Sequence, residues 1–84
     1  MQEEFFFHPA SGTVRFWAQI GDQWVGASIS KERLHYAYRP DALDEDPLET
    51  YRKHAPALGA AVRRRVSDGA REPVMLRDAD LAAP

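Results

Sequence analysis

The chain has 84 residues, no cysteine, and a formal net charge of -2 from 11 basic and 13 acidic side chains. This length allows one domain with a small core, and a hydrophobic content of 44% is too high for a disordered chain. The slight acidity argues against nucleic acid as an obligate partner, and the absence of cysteine excludes disulfides and thiolate metal sites.

The first predicted elements are a short strand and a β-hairpin. Three consecutive phenylalanines at positions 5–7 predict a strand that pairs beside the next element. Residues 13–29 predict a hairpin turned at Gly21 and Asp22, because a type II′ turn places glycine first in its two-residue loop. When the residues of the two strands are paired outward from this turn, the aliphatic side chains lie on one face. The opposite face receives Thr13, Arg15, Trp17, Gln19, Trp24 and Ser28.

Two helices are predicted after the hairpin. Ser30 can cap a short helix, and a longer helix begins at the cap Asp46, with Pro47 at its first helical position. Pro56 predicts a kink or break in the longer helix, because proline removes a main-chain hydrogen bond. The apolar stripe of this helix is long enough to cover the aliphatic face of the hairpin and consists of Leu48, Tyr51, Ala55, Leu58, Val62 and Val66.

The C-terminal part of the chain predicts one more strand. Val74, Met75 and Leu76 predict a short buried strand, and residues 79–84 are expected to fray. The elements together predict a single α+β domain over residues 1–84. Its two layers are an antiparallel sheet, built from the hairpin 13–29 and short terminal strands, and one long kinked helix. No long apolar run follows the acidic N terminus, so we expect no secretory signal or membrane contact and a cytoplasmic location.

Trp17 and Trp24 are the main candidates for partner binding. The hairpin register makes the two indoles diagonal neighbours on the polar face, and Arg15 lies on the same face. Either another part of the chain covers the indoles, or they form a patch for a protein partner or a second copy, since tryptophan anchors many interfaces. The sequence therefore predicts a non-catalytic interaction or self-association module, with a homodimer as one form.

A basic triplet supports an alternative function. Arg63, Arg64 and Arg65 lie near the end of the long helix, where they either complement the helix dipole or contact nucleic-acid phosphates. The second hypothesis is thus a nucleic-acid-binding accessory protein. The three histidines are scattered and show no metal-ligand or catalytic spacing, so we expect no enzyme activity, metal or cofactor.

The order and spacing of several short motifs resemble the bacterial family labelled domain of unknown function 1488. The motifs are a strand of Val14, Arg15 and Phe16, a strand end from Ala27 to Ser30 followed by Leu34, a helix start at Tyr51 with His54, and residues 69–76. Ala55 and Pro56 depart from the charged residues with which the family helix usually continues. The resemblance implies a compact α+β domain in the bacterial cytoplasm and carries no assigned activity.

Overall fold

Four strands and three helices make up the fold in the computed structural model, which describes residues 5–41, 43 and 46–81. In chain order they are β1 (Phe5–His8), β2 (Thr13–Ile20), β3 (Gln23–Ser30), α1 (Lys31–Tyr38), α2 (Pro47–Ser67), β4 (Val74–Met75) and α3 (Asp78–Leu81). The strands form one sheet in the order β1-β2-β3-β4. The predicted α+β class is confirmed.

The hairpin of β2 and β3 has the predicted register. Phe16 pairs with Ala27 and Trp17 pairs with Gly26, so the faces alternate as the sequence pattern indicates. Gly21 has a φ of 61°, which an L-residue adopts only with strain, and this explains glycine at the first loop position. The N-terminal strand β1 pairs antiparallel with β2, which places Phe5 opposite Phe16 on the core side.

The sheet is mixed, so the prediction of an antiparallel sheet is wrong for its last strand. β4 pairs parallel with β3, with Ala27 opposite Val74. The 21 residues of α2 explain this direction. A helix of that length spans about 31 Å and returns the chain to the end of the sheet where β3 begins, and parallel strands require such a crossover.

Helix α2 runs unbroken from Pro47 to Ser67. Of the kink or break predicted at Ala55 and Pro56, the break is therefore wrong and the kink stays a prediction. Its N terminus is as predicted, because the Asp46 carboxylate accepts a hydrogen bond from the Leu48 N–H at 3.0 Å. Pro56 lies on the exposed side of the helix, and buried residues before and after it hold both halves of α2 against the sheet. Packing therefore outweighs the missing main-chain bond.

The core lies between the sheet and the helices. Its buried side chains come from β2, β3, β4, α1 and α2, and from Leu76 just after β4. Tyr51 joins the layers, because its ring lies 4.8 Å from the ring centroids of both Phe5 and Phe16. The buried set is Val14, Phe16, Ala18, Ala27, Ile29, Leu34, Tyr51, Leu58, Ala61, Val62, Val74 and Leu76.

The C-terminal segment is more ordered than the sequence predicts. Asp78–Leu81 form α3, whereas fraying was expected from position 79, and residues 82–84 lie outside the described part. The Asp80 carboxylate holds this helix, because it accepts hydrogen bonds from the Arg65 side chain and the Arg77 N–H, each at 2.8 Å. A contact 15 residues apart in sequence leaves no local pattern, which is why the sequence does not reveal it.

Candidate functional site

One side of the sheet faces away from the helices, and we call it the open face. It carries apolar side chains that are far from covered: Phe6 is 43% exposed and Met75 is 65% exposed. Trp17 lies beside Phe6, with 6.1 Å between the ring centroids, and is half-buried. Arg15 is exposed on the same face and makes no hydrogen bond or ion pair with any residue that the structure describes.

A groove of about 470 Å³ crosses the open face, and we call it the face groove. Its floor contains Gly26 and Ser28 of β3, whose small side chains leave the space. Its walls come from β2 on one side and from β4 with the residues before it on the other. The wall residues are Arg15, Trp17, Glu72, Pro73 and Met75.

Glu72 is held in place at the rim of the face groove. Its Oε2 accepts a hydrogen bond of 3.0 Å from the main-chain N–H of Gly26. A Cβ at position 26 would lie 3.0 Å from Glu72 Oε2 and 3.4 Å from Trp17 Nε1, so the carboxylate and the indole meet above this glycine. Glycine at position 26 is therefore what allows both groups to approach the sheet.

We expect Gly26 and Glu72 to be coupled energetically. A methyl group at position 26 requires the Glu72 carboxylate to shift by a few tenths of an ångström, which weakens a hydrogen bond worth about 1 kcal/mol. In a double-mutant cycle of Gly26→Ala and Glu72→Ala, urea melts should give a coupling free energy of about that size. Strictly additive losses would mean that a methyl group at position 26 does not disturb the Glu72 hydrogen bond.

Trp24 lies on the predicted face but outside the face groove. It is half-buried opposite Gln19 and lines a second hollow of about 220 Å³, together with Trp17, Pro56, Gly59 and Arg63. Arg63 closes this hollow, because its Nε donates to the main-chain oxygen of Gln19 at 3.2 Å. The structure thus brings Arg15 and Trp17 together in the face groove. Trp17 also lines the second hollow, where it lies with Trp24.

Each arginine of the basic triplet makes intramolecular contacts. Arg63 donates to Gln19 as described, and Arg64 donates to the main-chain oxygen of Asp80 at 3.1 Å. Arg65 donates to the Met75 oxygen at 2.9 Å and pairs with the Asp80 carboxylate at 2.8 Å. Nucleic-acid phosphates would have to compete with these oxygens. Nucleic-acid binding stays a prediction, which a duplex titration at two salt concentrations would test through its salt dependence.

His8 and His54 make specific contacts. His8 Nδ1 lies 2.8 Å from the Ser11 hydroxyl, but the pair sits three residues apart in an exposed turn, where the Ser11 N–H also donates to the same ring. These contacts are hydrogen bonds within one local turn. His54 stacks on Tyr38 with ring centroids 3.7 Å apart and connects α1 to α2. Burial raises the pKa of the Tyr38 hydroxyl above its ordinary value.

A larger hollow of about 750 Å³ lies between α1 and α3. Two of its charged residues, Arg33 and Asp78, pair with each other at 3.1 Å, and Tyr36 at its rim is 73% exposed. Among the described residues no three histidine, aspartate or glutamate side chains converge as a metal site requires. None of the described helices is long and apolar enough to cross a membrane.

Four groove residues were not identified from the sequence: Gly26, Glu72, Pro73 and Met75. The prediction of a buried strand is wrong for Met75, which alternates with the buried Val74 and Leu76 and therefore points to the opposite side of the sheet. Glu72 gave no signal, because its partner Gly26 is 46 residues away.

Comparisons with protein-family models, curated proteins and solved structures find no match to this chain. The resemblance to the domain of unknown function 1488 family therefore stays a prediction.

Proposed function

We propose that this chain is a small non-catalytic interaction domain of the cytoplasm, which binds a protein partner or a second copy through its open face. Arg15, Trp17 and the groove residues form the centre of that surface, and Trp24 extends it. The observation that carries the proposal is the exposure of Phe6 and Met75 on either side of Trp17.

The composition of the open face supports this proposal. The solvent face of a two-layer sheet is normally polar, because water must hydrate it. Here it holds a phenylalanine, a tryptophan, a methionine and an arginine, the residue types that are enriched at protein interfaces. Contiguous apolar surface of this kind marks binding sites in soluble proteins. The small floor residues add a concave shape into which a side chain of the partner fits.

A matched pair of substitutions tests the proposal. Met75→Asp places a charge in the face groove, and Tyr36→Asp places one at an equally prominent apolar residue on a different surface. Neither side chain belongs to the core, so both variants should fold. We expect Met75→Asp to abolish binding of partners, or of tagged to untagged chain, while Tyr36→Asp retains it. Equal binding by the two variants, or loss only in Tyr36→Asp, would contradict the proposal.

A further inference from the structure

The charged residues of the face groove occupy opposite corners. Arg15 and Ser28 pair across β2 and β3, and Met75 continues that row on β4. The next row contains Trp17 and Gly26, and Glu72 reaches Gly26 from the far side. One diagonal of the groove therefore joins a cation to a carboxylate, and the other joins the apolar side chains Trp17 and Met75.

We propose that the occupant of the face groove is a second copy of this chain, packed face to face about a two-fold axis along the diagonal from Trp17 to Met75. This inference rests on the proposed function and names its partner. In the dimer Arg15 pairs with the partner's Glu72, and Glu72 pairs with the partner's Arg15.

Charge complementarity selects this arrangement. An isologous interface brings one patch onto itself, so each charge must meet its opposite across the axis. An axis along the Trp17 and Met75 diagonal exchanges the corners held by Arg15 and Glu72. An axis along the other diagonal would place Arg15 against the partner's Arg15, and like charges in contact are strongly unfavourable.

Both charged groups are suited to this pairing. Arg15 is exposed and makes no hydrogen bond or ion pair with a described residue. Glu72 is exposed, and its hydrogen bond to the Gly26 N–H orients the carboxylate before a second chain arrives. Such prior ordering lowers the entropic cost of association.

The size of the face predicts a weak dimer. Two strands of eight residues, one of four and one of two offer a face of about 350 Å² in outline. A standard interface buries about 800 Å² on each partner, so the dissociation constant should lie on the order of 10⁻⁵ to 10⁻³ M. The dimer should therefore form and dissociate with concentration.

Charge reversal tests the inference by sedimentation equilibrium over that concentration range. We expect Arg15→Glu and Glu72→Lys to weaken dimerisation at least about tenfold, because each creates two like-charge contacts. An equimolar mixture of the two variants should form a heterodimer with both contacts restored. Lys53→Glu, an exposed charge reversal on α2, is the matched control and should dimerise like the wild type. Glu72→Gln, which keeps an acceptor for Gly26, should weaken the dimer even if Glu72→Lys unfolds.

Three outcomes would overturn the inference. They are a wild type that stays monomeric throughout, an Arg15→Glu variant that dimerises like the wild type, and a mixture that forms no heterodimer from folded variants. The proposed function survives the first outcome if Met75→Asp still abolishes binding of another protein. The proposed function fails together with the inference only if the open face binds neither a second copy of the chain nor another protein.

Discussion

Replacing Phe16 with alanine is expected to lower the free energy of unfolding by about 3–5 kcal/mol. Phe16 is 1% exposed, and its ring packs 4.8 Å from that of Tyr51, the residue that joins sheet and helix. Removing it leaves a cavity in the centre of the core. A domain of this size has little stability to lose, so thermal melting should show a much lower midpoint or no folded baseline.

Phe6→Ala is the matched control for this experiment. The two phenylalanines lie on opposite faces of the same sheet, and Phe6 is 43% exposed. Its loss should cost about 1 kcal/mol, because Phe6 lies outside the core and a large part of the removed surface already contacts water. If Phe6→Ala were the more damaging change, the buried and open faces would have been assigned the wrong way round.

Asp80→Asn is expected to lower the free energy of unfolding by about 1–3 kcal/mol at neutral pH. The Asp80 side chain is 11% exposed and accepts hydrogen bonds from the Arg65 guanidinium and the Arg77 N–H. These bonds join α2 to α3 and leave the Arg65 side chain 21% exposed. Without the carboxylate, this largely covered cation loses its charged partner.

The effect of Asp80→Asn should depend on pH. Burial alone would raise the pKa of Asp80, but the hydrogen bonds from Arg77 and Arg65 and the charges of both arginines outweigh it and hold the pKa below its ordinary value. A carboxyl whose pKa is lowered on folding stabilises the protein above its unfolded pKa. That stabilisation is lost as the pH falls through the folded pKa. Urea melts should therefore show the gap between wild type and variant narrowing at acid pH, below about 4.

Asp78→Asn is the control for the carboxylate network. Asp78 also pairs with an arginine, but its side chain is 88% exposed. An exposed ion pair contributes no more than about 0.5 kcal/mol to the free energy of unfolding, so Asp78→Asn should have little effect. A gap between Asp80→Asn and wild type that stayed constant from neutral to acid pH would show that Asp80 acts through shape alone.

The hairpin and the ends of the helices could be predicted because their signals are local. Gly21 specifies the turn and the alternation around Phe16 specifies the register, so one short segment determines which face is buried. Asp46 and Pro47 specify where α2 begins. In each case the residues that carry the signal also form the structure.

The errors in the predicted fold come from interactions between distant residues. Pro56 disfavours a continuous helix locally, yet the packing of Tyr51 and Leu58 on either side of it preserves one. The parallel direction of β4 depends on the end of the sheet at which α2 terminates. The order of α3 depends on Arg65.

The candidate site likewise has a part that local sequence signals predict and a part that depends on contacts between distant residues. Arg15 and Trp17 could be identified from the hairpin register, because strand alternation places them on the face opposite the core. The groove between them and Glu72 could not, since it exists only once residues after α2 return to β3. Trp24 lies outside this groove and lines a hollow with residues of α2, which the hairpin register does not reveal.

Photo-crosslinking from two positions tests most directly whether the open face is the interaction surface. A photoreactive phenylalanine analogue replaces Met75 in one variant and Tyr36 in the other, since both residues are large, apolar and exposed. We expect irradiation to yield covalent adducts, with a second copy or another protein, from position 75 and not from position 36. Adducts from position 36 alone, or at equal yield from both positions, would contradict the assignment of the open face.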